Sequence, residues 1–148
     1  LYTIWKRTAP PPSMLIFDAP ERGICTVRRR TTSTPLQALV LLNDPQYLEA
    51  SRVLAERLIE ENQQNATRQL EKAFRLITGR SPDDQEMSML TEFYQKEVNR
   101  FEDEPQDAQA YLSIGEYERN PSLPTIQVAA LATVSNAIMN TNEAFTRQ

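Results

Sequence analysis

The sequence predicts an all-α protein, an irregular proline-rich N-terminal arm followed by a bundle of five or six helices. Three observations carry this. Ser/Thr/Asp-Pro pairs, each a helix start, recur along the chain at Thr34-Pro35, Asp44-Pro45 and Ser81-Pro82. Between them apolar residues return with helical spacing. The stretch from Ile126 to Met139 is apolar nearly all round, as a helix buried in the middle of a bundle must be.

Residues 1–33 read as extended or irregular. Pro10-Pro11-Pro12 imposes polyproline-like backbone, and Asp18-Ala19-Pro20 and Gly23 add further breaks. Trp5, Met14, Leu15, Ile16 and Phe17 make this arm too apolar for a disordered linker, so it is expected to pack along the helices. The run Thr34 to Pro45 follows, the most apolar of the chain. Thr34 suits an N-cap, Pro35 the first helical position, and Gln37 the far side of a capping box. This predicts a short helix from Pro35 to about Asn43, with Leu39 and Leu42 buried against Leu131, Val134 or Ile138 of the last helix.

Asp44-Pro45 starts a second helix to about Glu61. Tyr47, Ser51, Leu54 and Leu58 share its inner face, with Glu49, Arg52, Glu56 and Glu60 opposite. A joint at 62–65 leads to a third helix ending at Thr78, striped by Leu70, Ala73, Phe74 and Ile77 and stopped by Gly79. With Ser81 as cap, Pro82 to about Phe101 forms the longest helix, joined to the third as an αα-hairpin. Pro105 opens a short helix through Leu112 that Gly115 can end. A loop over 116–124 precedes the last helix, Thr125 to about Asn140, which belongs at the centre with the Pro35 helix.

Length and composition bound the rest. The 148 residues, 40% hydrophobic, suit a single helical domain, with 1–33 as arm and 34–148 as bundle. Leu1-Tyr2-Thr3-Ile4-Trp5 reads like the middle of a polypeptide, so a longer parent chain is expected. No run of about 18 apolar residues occurs, which leaves no membrane-spanning helix in the sequence. Residues 1–34 hold six Lys/Arg against two Asp/Glu, net +4, and the remainder ten against eighteen, net −8. The acidic remainder argues against nucleic acid as a partner, and an arm folded onto its own helices explains the asymmetry better than a polyanion does.

One cysteine and no histidine leave little catalytic chemistry, so this domain alone is not read as an enzyme. Cys25 has no His partner and reads as a small apolar residue. Asp83, Asp84 and Glu86 resemble a metal cluster but are accounted for by the positive end of a helix dipole. Glu102, Asp103, Glu104 and Asp107 form a solvated joint. The one candidate site is for an anion: Arg28, Arg29 and Arg30 with Thr32 and Thr34 run into a helix N-terminus, where guanidinium forks and free N–H groups converge. The competing reading pairs the arginines with the acidic helices and uses the hydroxyls as caps.

Trp5-Lys6-Arg7-Thr8, Pro10-Pro11-Pro12-Ser13-Met14, Phe17-Asp18-Ala19-Pro20, Cys25-Thr26-Val27-Arg28-Arg29 and the run Thr34 to Pro45 together resemble the C-terminal part of the DUF1553 (PSD1) family. The likeness continues more loosely through Thr78-Gly79-Arg80-Ser81-Pro82 and the closing helix. It departs at Ser33, where an Asn is usual, and at Asn140-Thr141-Asn142-Glu143. The resemblance implies a domain of unknown function from a large exported protein of the kind found in Planctomycetes, with a DUF1549 region and often a cytochrome c-like haem domain upstream. It thus implies an extracytoplasmic location, periplasmic or exported. It implies no cofactor in this domain, since no Cys-x-x-Cys-His sequence occurs and any haem belongs to another domain. Its partners would be other domains of the same polypeptide, with an acidic glycan or small anion as a further ligand. The function expected is that of a helical accessory or interaction domain. The alternative is part of an enzyme, polysaccharide-active or redox, whose basic arm lines an anion-binding cleft.

Overall fold

The structure, a computed structural model, describes residues 6, 10–19, 27, 32–62 and 65–145. Among these every regular element is helical: α1 (Pro12–Ile16), α2 (Pro35–Asn43), α3 (Pro45–Glu61), α4 (Ala66–Thr78), α5 (Asp84–Asp103), α6 (Pro105–Leu112), α7 (Thr125–Met139) and α8 (Asn142–Phe145). The chain divides into two compact units, 1–40 and 41–148, with the boundary inside α2.

In the first unit α1 replaces part of the expected irregular arm. Pro12 sits at its first position, where a missing N–H is harmless. The turn then closes as a Schellman motif: the Ala19 N–H reaches the Met14 carbonyl at 2.9 Å and the Asp18 N–H reaches Leu15 at 3.2 Å, with Asp18 left-handed at φ 54°. Aspartate tolerates that conformation better than most residues. Five residues show no period, which is why the sequence did not reveal them.

α2 starts as predicted. The Thr34 N–H donates to Gln37 Oε1 at 2.9 Å, and Thr34 Oγ1 accepts from the Gln37 N–H at 3.3 Å, a complete capping box. Its buried face differs from expectation. Leu39 and Leu42 are 57% and 43% exposed, whereas Gln37 and Leu41 are 2% and 4%. Positions 37 and 41 are one turn apart, so the covered stripe runs through a glutamine. A helix with leucines on every side carries no period that picks a face.

The second unit is arranged around α7, which touches α3, α4, α5, α6 and α8. Val128 to Ala132, Val134 and Ile138 are all buried on it, and small alanines let neighbouring helices approach. Leu58 of α3, Leu70 and Phe74 of α4, Phe101 of α5 and Leu112 of α6 complete the core. Buried Asn136 donates from Nδ2 to the Leu41 carbonyl at 2.9 Å, satisfying an acceptor that the last turn of α2 leaves open.

α3 is capped by Asp44, α4 by Asn65, and α4 ends on left-handed Gly79 at φ 87°, from which the chain turns so that α5 packs on α4. α5, with 20 residues, begins two residues later than predicted. Its cap is Asp83, not Ser81: the Glu86 N–H reaches Asp83 Oδ1 at 2.7 Å and the Asp83 N–H reaches Glu86 Oε2 at 2.8 Å. The reciprocal pair satisfies two donors at once, more than a lone serine can.

Candidate functional site

At the predicted anion site the structure joins Thr32 and Thr34 to Gln37, the expected capping-box partner of Thr34, and to Asp18, which the sequence reading did not assign there. Gln37 donates from Nε2 to the Ile16 carbonyl at 2.8 Å and to Thr32 Oγ1 at 3.0 Å. The Asp18 carboxylate accepts both the Thr32 hydroxyl and the Thr32 N–H, the latter at 3.2 Å. The N–H groups of Thr32, Thr34 and Gln37 are thus met by side chains of the chain itself. Arg28, Arg29 and Arg30 lie outside the described residues, as do Cys25 and Trp5. No spacing rule links Asp18 to Thr32, 14 residues apart; only the Schellman turn aims it there.

The larger feature is a polar cleft of about 760 Å³ in the second unit, between the outer face of α3 and residues 116–120. Glu56, Arg57 and Glu60 line one wall, Tyr117, Glu118 and Arg119 the other. The sequence placed Arg52 and Glu56 on a solvated face, yet they are 1% and 6% exposed. Residues 116–120 cover that face and supply its partners. Arg52 donates from Nη1 to Glu56 Oε1 at 2.9 Å and from Nη2 to the Tyr117 carbonyl at 2.6 Å.

Three further contacts hold this loop. Glu49 Oε2 accepts the N–H groups of Glu116 and of Tyr117, the latter at 3.1 Å, and these two bonds lower its pKa below the usual carboxylate range. Asn120 donates to Glu60 Oε1 at 2.7 Å, and Arg119 to Thr125 Oγ1 at 2.6 Å. Gly115 makes the approach feasible. At φ 102° it is left-handed, and a Cβ there would collide with the Glu49 side chain.

The acidic first turn of α5 is engaged in the same manner. Arg80 forks onto Glu86, Nη1 to Oε2 at 2.8 Å and Nη2 to Oε1 at 2.6 Å. It also grips Glu143, Nε to Oε1 at 2.6 Å and Nη2 to Oε2 at 2.8 Å. The guanidinium carbon lies 4.9 Å from the Phe74 ring centroid. Arg80, reinforced by the Asp83 N–H, holds the Glu86 pKa down to about 2, and Arg80 lowers that of Glu143. Glu102 to Asp107 are exposed, as a solvated joint should be. Among the described residues, no group of three or more potential metal ligands comes together.

Fold and polar contacts define a helical domain in which Glu49, Arg52, Arg80 and Arg119 hold loops and helix ends of their own chain. The family follows from comparison with known proteins: the chain belongs to PSD1, protein of unknown function (DUF1553), whose family model matches residues 1–94. That match spans α1 to α4 and ends inside α5. No curated protein matches the chain, and no solved structure does.

Proposed function

We propose that this chain is a helical accessory domain of a larger extracytoplasmic polypeptide, and that its partners are other domains of that polypeptide. The observation that supports this is geometric: carboxylates of the 41–148 unit are bound by donors of their own chain. Glu49 accepts two loop N–H groups, Glu61 pairs with Arg57 and Lys72, and Glu86 and Glu143 share Arg80; these partners lower the pKa of all four. These groups are kept charged to bind their own chain.

Interfaces between domains of one chain are modest in size and affinity. The test is therefore to purify this chain and the remainder of its parent polypeptide separately and titrate one into the other by calorimetry. Association with a Kd on the order of 1–100 μM is expected, about −8 to −5.5 kcal/mol. Absence of heat at millimolar concentration, together with no co-sedimentation, would sink the proposal. The alternative, an enzyme part with an anion-binding arm, is tested by melting the parent and the variant Arg28→Gln, Arg29→Gln, Arg30→Gln with and without sulfate at matched ionic strength. Sulfate stabilisation of the parent alone would favour that alternative, because a ligand bound only to the folded state raises stability by mass action.

A further inference from the structure

The polar cleft between α3 and residues 116–120 has features that covering Arg52 does not require. Glu56 lines it yet is only 6% exposed, so its carboxylate stands at the base. Its Oε1 accepts from Arg52, while its Oε2 has no hydrogen bond among the described residues. Arg57 spends only Nε, on Glu61 at 3.0 Å, and Arg119 only Nη2, on Thr125 and the Leu123 carbonyl. An acceptor and several donors of the lining are therefore left over. Tyr117 adds an aromatic ring that is 63% exposed. The backbone carrying that ring is fixed on both sides, its N–H on Glu49 at 3.1 Å and its carbonyl on Arg52 at 2.6 Å. A ring held in this way loses little freedom when something settles on it.

We propose that this cleft binds a neutral saccharide chain, with the Tyr117 ring against the C–H face of one sugar and the sugar hydroxyls bonded to Glu56, Arg57 and Arg119. Four carboxylates, Glu56, Glu60, Glu116 and Glu118, line the cleft together with two guanidiniums. An anion would face the carboxylates and a cation the guanidiniums, whereas a hydroxyl both donates and accepts and so suits both. The exposed phenol ring offers the flat apolar surface that a sugar's C–H face needs, with its own hydroxyl free to stay wet. The volume of about 760 Å³ lies within the range of small-ligand sites. This site lies wholly within the 41–148 unit and does not depend on the domain contact proposed above.

The test is a ¹⁵N–¹H correlation titration of the whole chain with cellohexaose, xylohexaose, mannohexaose and chitohexaose, and with octalysine as the competing cationic probe. Saturable shifts confined to 53–60 and 116–120 are expected with at least one hexasaccharide, at a Kd on the order of 0.1–1 mM. Tyr117→Ala should weaken that binding about tenfold and Tyr117→Phe, which keeps the ring, by less than about twofold. Both variants should melt within about 1 °C of the parent, because the Tyr117 side chain is exposed and its backbone bonds survive either change. Absence of saturable shifts with all four hexasaccharides at about 10 mM overturns the proposal. So does binding that Tyr117→Ala leaves unchanged, and so do shifts at these residues with octalysine alone, which would make the cleft a site for cations.

Discussion

Arg52 shows most clearly what a single side chain does here. Its guanidinium joins Glu56 to the Tyr117 carbonyl in a buried site, so removing it strands a carboxylate away from water. Arg52→Ala should cost about 3–5 kcal/mol in urea unfolding, and the double change Arg52→Met, Glu56→Leu should recover most of that. If the single variant loses under about 1 kcal/mol, the pair is hydrated and the loop does not seal it. Leu41→Ala should likewise cost about 2–5 kcal/mol, while Leu39→Ala, at an exposed position, should fall within about 0.5 kcal/mol. Neither contrast was legible in the sequence. A buried arginine spells the same as a solvated one, and the covering loop lies 65 residues away from Arg52.

Helix boundaries were far more legible, because caps are local chemistry. Thr34, Asp44 and Gly79 do what their residue types predict, and α5 misses only in which of two nearby polar residues caps it. Two left-handed glycines test the loops between elements. Gly79 has open space where a Cβ would go, so Gly79→Ala should cost about 1–2 kcal/mol of backbone strain alone. Gly115→Ala should cost more, since the methyl also displaces the Glu49 carboxylate from two N–H groups; equal midpoint shifts in denaturant would refute this. The link between α5 and α8 predicts a pH dependence. Glu86 titrates at about 2 when folded against an ordinary 4.5, so its contribution is complete above about 4.5 and lost as pH falls towards 2. The melting-temperature gap between the parent and Arg80→Gln should hold from pH 7 to about 5 and narrow below. A gap independent of pH down to 2.5 would show that the fork contributes nothing.

Over the 41–148 unit as a whole, stability rests on one helix. Leu131 is fully buried on α7, and Leu131→Ala should lower stability by about 2–5 kcal/mol by thermal or urea unfolding. The centrality of α7 was legible because composition alone demands it: a segment with so few polar side chains has no face to give to water. The division within α2 was not legible, because it depends on which distant residues each half of that helix meets. The position of α7 in the chain also bears on how the molecule is made. Helices α3 to α6 leave the ribosome before α7, the one helix that all four touch, has been synthesised; until residues 125–139 emerge they can pair only with their neighbours in sequence. The nascent chain is therefore held back from a closed core until nearly its last described helix, a state in which its apolar stripes stay open to chaperones and to aggregation.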